Sequence, residues 1–153
     1  MIREKISQAL KDAMRAKDEA KTTTLRMVNA AIKQKDIDVA RARGDQHIHD
    51  DEVLNLLQSL IKSRLESIEL YKQGGRQDLA DKEAAEIVVI KHFLPKQMSE
   101  EETRAAIREL VASLAATSLK DMGKVMAALK SKYAGQLDMT KASAAVKDVL
   151  TAK

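Results

Sequence analysis

The chain contains a single proline, Pro95, and four residues beyond it stands Ser99-x-x-Glu102. Proline has no backbone N–H and disfavours α geometry in the residue before it, so a helix arriving from the N-terminal side stops near Phe93 or Leu94. Ser99 and Glu102 have the spacing of a capping box, in which the hydroxyl accepts from the N–H three residues on and the carboxylate accepts from the N–H of the serine. Glu100, Glu101 and Glu102 fall in the first turn, where the positive end of a helix dipole favours them. One helix therefore ends and another begins at this joint. It divides the chain into an N-terminal part, 1–94, and a C-terminal part, 95–153.

On both sides of the joint, apolar residues recur at three- and four-residue steps, the mark of amphipathic helices. Ile2, Ile6, Ala9, Leu10, Ala13 and Met14 form one stripe that ends near Lys17, with a turn over 18–21. Leu25, Val28, Ala31 and Ile32 form a second, running toward Ala40; Thr22, Thr23 and Thr24 cap better than they propagate, so its start stays open. A loop over 43–49 leads to a long helix capped by Asp50 or Asp51, with Val53, Leu56, Leu57, Leu60, Ile61, Leu65 and Ile68 facing inward. Gly74-Gly75 ends it, and a fourth helix over 78–93 turns Leu79, Ala84, Ile87, Ile90 and Leu94 inward. After the joint come a helix with Thr103, Ile107, Leu110, Val111 and Leu114, and another with Leu119, Met122, Val125, Met126 and Leu129. The last is capped by Asp138 or Thr140 and buries Ala142, Ala145, Val146, Val149 and Leu150. No stretch alternates as a strand does, and there is no internal repeat. The expected fold is all-α, with an N-terminal bundle of about four helices and then a small three-helix bundle.

Aromatic residues are only 2% of the chain, so the core is built from Leu, Ile, Val, Met and Ala. The absence of cysteine excludes disulfides, thiolate metal sites and a cysteine nucleophile. No apolar run approaches the ~18 residues of a membrane span, and Met1-Ile2-Arg3-Glu4-Lys5 does not open a signal peptide. The expectation is a soluble cytoplasmic protein without a membrane partner. There is no glycine-rich phosphate loop and no Gly-x-Ser-x-Gly elbow, so no catalytic residue and no cofactor is assigned. His47-Ile48-His49-Asp50-Asp51 is the one metal-like run, but its spacing matches no familiar ligand pattern and Asp50 has a capping role; no metal is assigned. Arg64, Glu66, Glu69, Tyr71, Arg76, Asp78, Glu83 and Glu86 flank the Gly74-Gly75 turn, where two antiparallel helices bring opposite charges together as a salt-bridge network or a polar docking face.

The formal net charge is +4, and it is unevenly placed. From Ser118 onward seven lysines, at 120, 124, 130, 132, 141, 147 and 153, face only Asp121, Asp138 and Asp148. A cationic segment of this kind is an electrostatic footprint for nucleic acid, or else a solvated face. Within it, Ser118-Leu119-Lys120-Asp121-Met122-Gly123-Lys124-Val125-Met126 is the most informative run. Gly123 weakens a helix interior by up to ~1 kcal/mol relative to alanine, so a close approach of another helix or of a bound polymer should compensate. Lys120 and Lys124 are one helical turn apart on either side of it, at a helix start whose N–H groups suit a phosphate.

Four runs resemble the YqeY family, also called the GatB/YqeY domain. They are Leu25-Arg26-Met27-Val28-Asn29-Ala30-Ala31-Ile32-Lys33, Gly74-Gly75-Arg76-Gln77-Asp78-Leu79-Ala80-Asp81-Lys82-Glu83, Phe93-Leu94-Pro95-Lys96-Gln97-Met98-Ser99 and Lys120-Asp121-Met122-Gly123-Lys124-Val125-Met126. The resemblance covers essentially the whole chain. It implies an all-helical fold with a longer N-terminal part and a three-helix C-terminal part. It also implies kinship with the tail of the B subunit of the glutamine-dependent aspartyl/glutamyl-tRNA amidotransferase, an arm that holds the outer corner of tRNA and does not do the transfer chemistry. The chain has no room for the domains that reaction needs. One departure is Gly135-Gln136-Leu137-Asp138-Met139, where the family often has a Gly-Arg-Ala-Asp-Gly-like turn; the lost cation and glycine weaken any RNA contact there.

The expected function is a non-catalytic helical module that binds RNA, with tRNA as the partner and Lys120, Gly123, Lys124, Lys130, Lys132 and Lys141 as its binding residues. The lysines would meet phosphates, which give affinity and position rather than sequence specificity. Without aromatic stacking platforms, a folded RNA surface fits better than a single strand. The alternatives are a protein–protein adaptor, with a translation-related protein as partner, and an accessory component of a glutamine-dependent carbon–nitrogen ligase.

Overall fold

A computed structural model describes residues 1–152. Seven α-helices make up the described chain, with no strand among them: α1 (Ile2–Arg15), α2 (Glu19–Lys35), α3 (Asp50–Gln73), α4 (Gln77–Lys91), α5 (Glu100–Ser113), α6 (Met122–Lys132) and α7 (Met139–Thr151). The all-α class read from the apolar periodicity is thus what the chain adopts. The backbone divides into two compact units, Met1–Leu94 and Pro95 onward.

In the first unit α3 and α4 form an antiparallel hairpin around Gly74 and Gly75. Gly75 takes a left-handed φ of 71°, which glycine accepts without a Cβ clash. α2 packs on α1 and α4. Ile6, Leu25, Val28, Ile32, Val53, Leu57, Ile87 and Ile90 meet in one core, each fully buried aliphatic side chain contributing about 1.5–3 kcal/mol of transfer free energy.

Several boundaries and faces differ from expectation. Residues 18–21 are not a turn: Asp18 is the N-cap of α2 and accepts from the Lys21 N–H at 3.1 Å, leaving the threonines inside the helix. α3 is capped at His49 rather than at Asp50 or Asp51, and the Glu52 carboxylate reaches back to the His49 N–H at 2.9 Å. Leu65 is 55% exposed although it lies near the apolar stripe, and in α4 Ala80 is buried where Ala84 was expected. A 3.6-residue repeat drifts around a long helix, so a residue at the stripe's edge can leave the core. α2 also ends differently: Asp36–Ala40 form a π-helical turn and Arg41–Arg43 a 3-10 turn, closed by Gly44 at a φ of 90°.

In the second unit the capping box is present as read. Glu102 N–H donates to Ser99 Oγ at 3.1 Å, and Ser99 N–H donates to the Glu102 carboxylate at 3.2 Å. The Ser99 N–H first, and then the Ser99 hydroxyl, hold the Glu102 carboxyl below its ordinary range. α5, α6 and α7 pack pairwise around Ile107, Val125, Leu129, Leu137, Ala142 and Val146. Asp138 caps α7, accepting from the N–H groups of Thr140 and Lys141 at 2.9 and 3.2 Å. The Gly135–Leu137 turn, where the sequence departs from the family pattern, has structural work: Gly135 O accepts from Gln97 Nε2 at 2.6 Å, Gln136 O accepts from Met98 N–H at 2.9 Å, and Leu137 is buried in the core.

Candidate functional site

The run singled out around Gly123 folds as a 3-10 turn, Leu119–Asp121, leading into α6. Ser118 and Asp121 cap it. The Asp121 carboxylate accepts from the N–H groups of Thr117 at 2.9 Å and Ser118 at 3.4 Å, and the Lys120 N–H donates to Ser118 Oγ at 3.4 Å. The expectation that this helix start offers free N–H groups to a phosphate is corrected for three of them: the Lys120 N–H goes to Ser118 Oγ, the Asp121 N–H to Ser118 O and the Met122 N–H to Leu119 O, and Asp121 adds a negative charge. Its carboxyl is held below the ordinary aspartate range, chiefly by the Thr117 N–H, with the nearby Lys124 contributing.

The position of Gly123 is also corrected. It lies in the first turn of α6, not in a helix interior, and a Cβ built there would meet nothing within 4 Å. No neighbouring helix needs the glycine. Val125 and Leu129 face the core, so helical periodicity puts Gly123, Lys124, Ala127, Lys130 and Ser131 on the opposite side, and all five are exposed. The solvent face of α6 thus consists of small residues and lysines. Neither lysine makes an ion pair with another described residue. Lys120 is exposed just ahead of it.

Lys132 and Lys141 are placed elsewhere. Lys132 ends α6 with its ammonium 5.5 Å from the centre of the Tyr133 ring. Lys141 lines a cleft of about 550 Å³ between α5 and α7, where Glu100, Asp138 and the Arg104–Asp148 pair (3.5 Å) leave the charge mixed. Of the six residues expected to bind RNA, Gly123, Lys124 and Lys130 share one face.

The α3–α4 hairpin and the end of α2 each hold a charged cluster. Across the α3–α4 hairpin the Arg64 guanidinium, 14% exposed, meets Glu86 at 2.9 Å and Glu83 at 3.8 Å, and donates to Leu60 O at 3.1 Å. Arg76 instead pairs locally with Asp78, and Glu66 and Glu69 point to solvent. The second cluster was missed by sequence reading. Asp36, 8% exposed, takes a bidentate bond from Arg3 (2.7 and 3.0 Å), the Ile48 N–H at 2.8 Å and a contact with His47 Nδ1 at 3.4 Å. Burial pushes its carboxyl up, but Arg3, Ile48 and His47 more than offset that and hold it at about 2. A signal existed: Asp36 stands four residues after Ile32 and four before Ala40, on the buried stripe of α2.

The two histidines of the metal-like run do not converge, since His47 turns to Asp36 while Ile48 is buried between them. Donor atoms of His49, Asp51 and Glu52 lie within 4.8 Å of one another. The Glu52 carboxylate, however, is held by Arg43 through bonds of 2.5 and 2.9 Å, which place a guanidinium where a cation would sit.

The profile of the Yqey-like protein family matches residues 3–150. The chain belongs to the YqeY family. Its curated relatives in the family include proteins named "Altered inheritance of mitochondria protein 41, mitochondrial". That of Lachancea thermotolerans is 34% identical over 90% of this chain and 76% of its own length. Those of Eremothecium gossypii and Kluyveromyces lactis are 38% and 34% identical, over 58% and 71% of this chain. The match takes in 46% and 58% of those two proteins, so this YqeY chain spans about half their length. These names correct the expectation of a cytoplasmic protein, because the relatives are named as mitochondrial. Among the described residues no helix is long and apolar enough to cross a membrane.

Proposed function

We propose that the chain is a non-catalytic module that binds folded RNA, tRNA first, through the solvent face of α6. The observation that carries this reading is the pair Lys124 and Lys130, which make no ion pair among the described residues, on a flat face of Gly123, Ala127 and Ser131, with Lys120 beside it. Unpaired cations on a small-residue surface let a phosphate backbone approach closely. The test is binding of tRNA to the full chain across a salt series, with mitochondrial tRNA included because the relatives carry mitochondrial names. Affinity should fall steeply as salt rises. No binding at low salt would reject the reading.

The second reading is a protein adaptor. It is favoured by Leu65, Leu70 and Val88 on the α3–α4 hairpin, which are 55%, 67% and 70% exposed. Such side chains suit a partner helix better than a polyanion.

The two units are read as separately packed parts joined at Pro95 and Lys96, both exposed. Limited trypsin digestion of the folded chain should cut after Lys96 first and leave two protected fragments. Resistance there, together with a single unfolding transition for the whole chain, would count against separate packing.

A further inference from the structure

We infer that the α6 face reads the minor groove of an A-form RNA duplex, a recognition mode that rests on the RNA-binding reading above and specifies its ligand. The face has two edges and a shallow middle. By helical position Lys124 and Ser131 lie on one edge, Gly123 and Lys130 on the other, and Ala127 between them. The two lysines are six residues apart, about 9 Å along the axis. They therefore stand diagonally across a strip that carries nothing larger than a serine. Between the two lysines, the middle of the strip has no side chain long enough to reach base edges in a deep groove. A-form RNA has a deep, narrow major groove and a wide, shallow minor groove lined by 2′-hydroxyls. The first is too narrow for any helix, whereas the wide, shallow second accepts a helix face whose middle carries only small residues. The diagonal lysines are placed for the phosphates that border such a groove, one on each side.

One further observation weighs against a single strand, and another favours RNA over DNA. Stacking of unpaired bases needs exposed aromatic rings. The only ring in the second unit is Tyr133, which is half-buried, with Lys132 over it. And the Ser131 hydroxyl, exposed on the same face, has no hydrogen-bond partner among the described residues. It can donate to or accept from a ribose 2′-hydroxyl, the group that separates RNA from DNA.

The experiment is a competition series with the full chain bound to labelled tRNA at low salt. The competitors are a blunt RNA duplex of about 16 base pairs, the length a shape-reading module spans, the DNA duplex of the same sequence, and one RNA strand alone. The RNA duplex should compete within a few-fold of unlabelled tRNA, and the DNA duplex and single strand at least tenfold less well. Ala127→Leu should weaken duplex binding about tenfold, because it adds bulk to the middle of the strip. Helix content, read by circular dichroism, should not change, since the position is exposed and leucine is a good helix former. Gly123→Ala, whose added methyl meets nothing in the protein, should weaken duplex binding less than Ala127→Leu. If tRNA binds but the RNA duplex competes no better than DNA or single strand, the groove-reading inference fails while RNA binding stands. If Ala127→Leu binds duplex as the wild type does, it fails in the same way. If tRNA itself does not bind at low salt, both readings fall together.

Discussion

Replacing Asp36 with alanine should destabilise the first unit by about 3 kcal/mol. Breaking a buried ion pair leaves the other charge without compensation, which costs about 3–5 kcal/mol. Here the stranded group is Arg3, 24% exposed, so the lower end applies. The Ile48 N–H would lose its acceptor in the same step and leave a buried donor unsatisfied. Asp36 joins α1, the π-helical turn and the 43–49 loop, so its loss should also free that loop. The same carboxyl sets an acid limit. Its pKa drops from 3.8 to about 2 on folding, a depressed value. Such a group contributes stability that is complete above the unfolded value and is lost as pH falls through the folded one. Glu52, lowered to about 2 chiefly by Arg43, acts in the same direction. Stability followed by chemical denaturation should therefore be flat near neutrality and decline between pH 4.5 and 2. Asp36→Asn should flatten part of that decline, having no proton to take up. Wild-type stability in the alanine variant at neutral pH, with an unaltered acid limb, would show that the Arg3–Asp36 pair holds nothing together.

Changing Lys124 and Lys130 together to glutamate should weaken tRNA binding by more than tenfold at low salt. The slope of log affinity against log salt should become shallower by about 1.4–1.8, since each phosphate contact contributes roughly 0.7–0.9. Both side chains are exposed and make no ion pair among the described residues, so the unfolding midpoint of the second unit should hardly move. Lys11 and Lys17, exposed on the first unit, provide the control pair, and their reversal should leave the slope unchanged. Equal loss from both pairs would mean diffuse attraction to net charge rather than a face on α6. Undiminished binding by the Lys124/Lys130 variant would move the site elsewhere and strengthen the adaptor reading built on Leu65, Leu70 and Val88.

The sequence by itself determined the local features of this protein. The helical class, the Ser99–Glu102 and Ser118–Asp121 caps, the Gly74-Gly75 turn and the family are written in residues within a few positions of one another. Such features depend on backbone chemistry over three to five residues and need no knowledge of what packs nearby. The tertiary structure decided what depends on distant partners. Asp36 sits on a stripe that pattern reading treats as core, and only the approach of Arg3, 33 residues away, and the Ile48 N–H, 12 away, makes a charge tolerable there. Gly123 reads as a glycine that clears space for a neighbouring helix or a bound polymer, and only the fold shows that no helix approaches it. Lys141 belongs to the same cationic run as Lys124 but faces the acidic residues of the α5–α7 cleft. Charge counts along a chain carry no direction. The rotation of each helix about its own axis, fixed by which side its neighbours cover, is what turns a lysine-rich segment into one face with two exposed lysines.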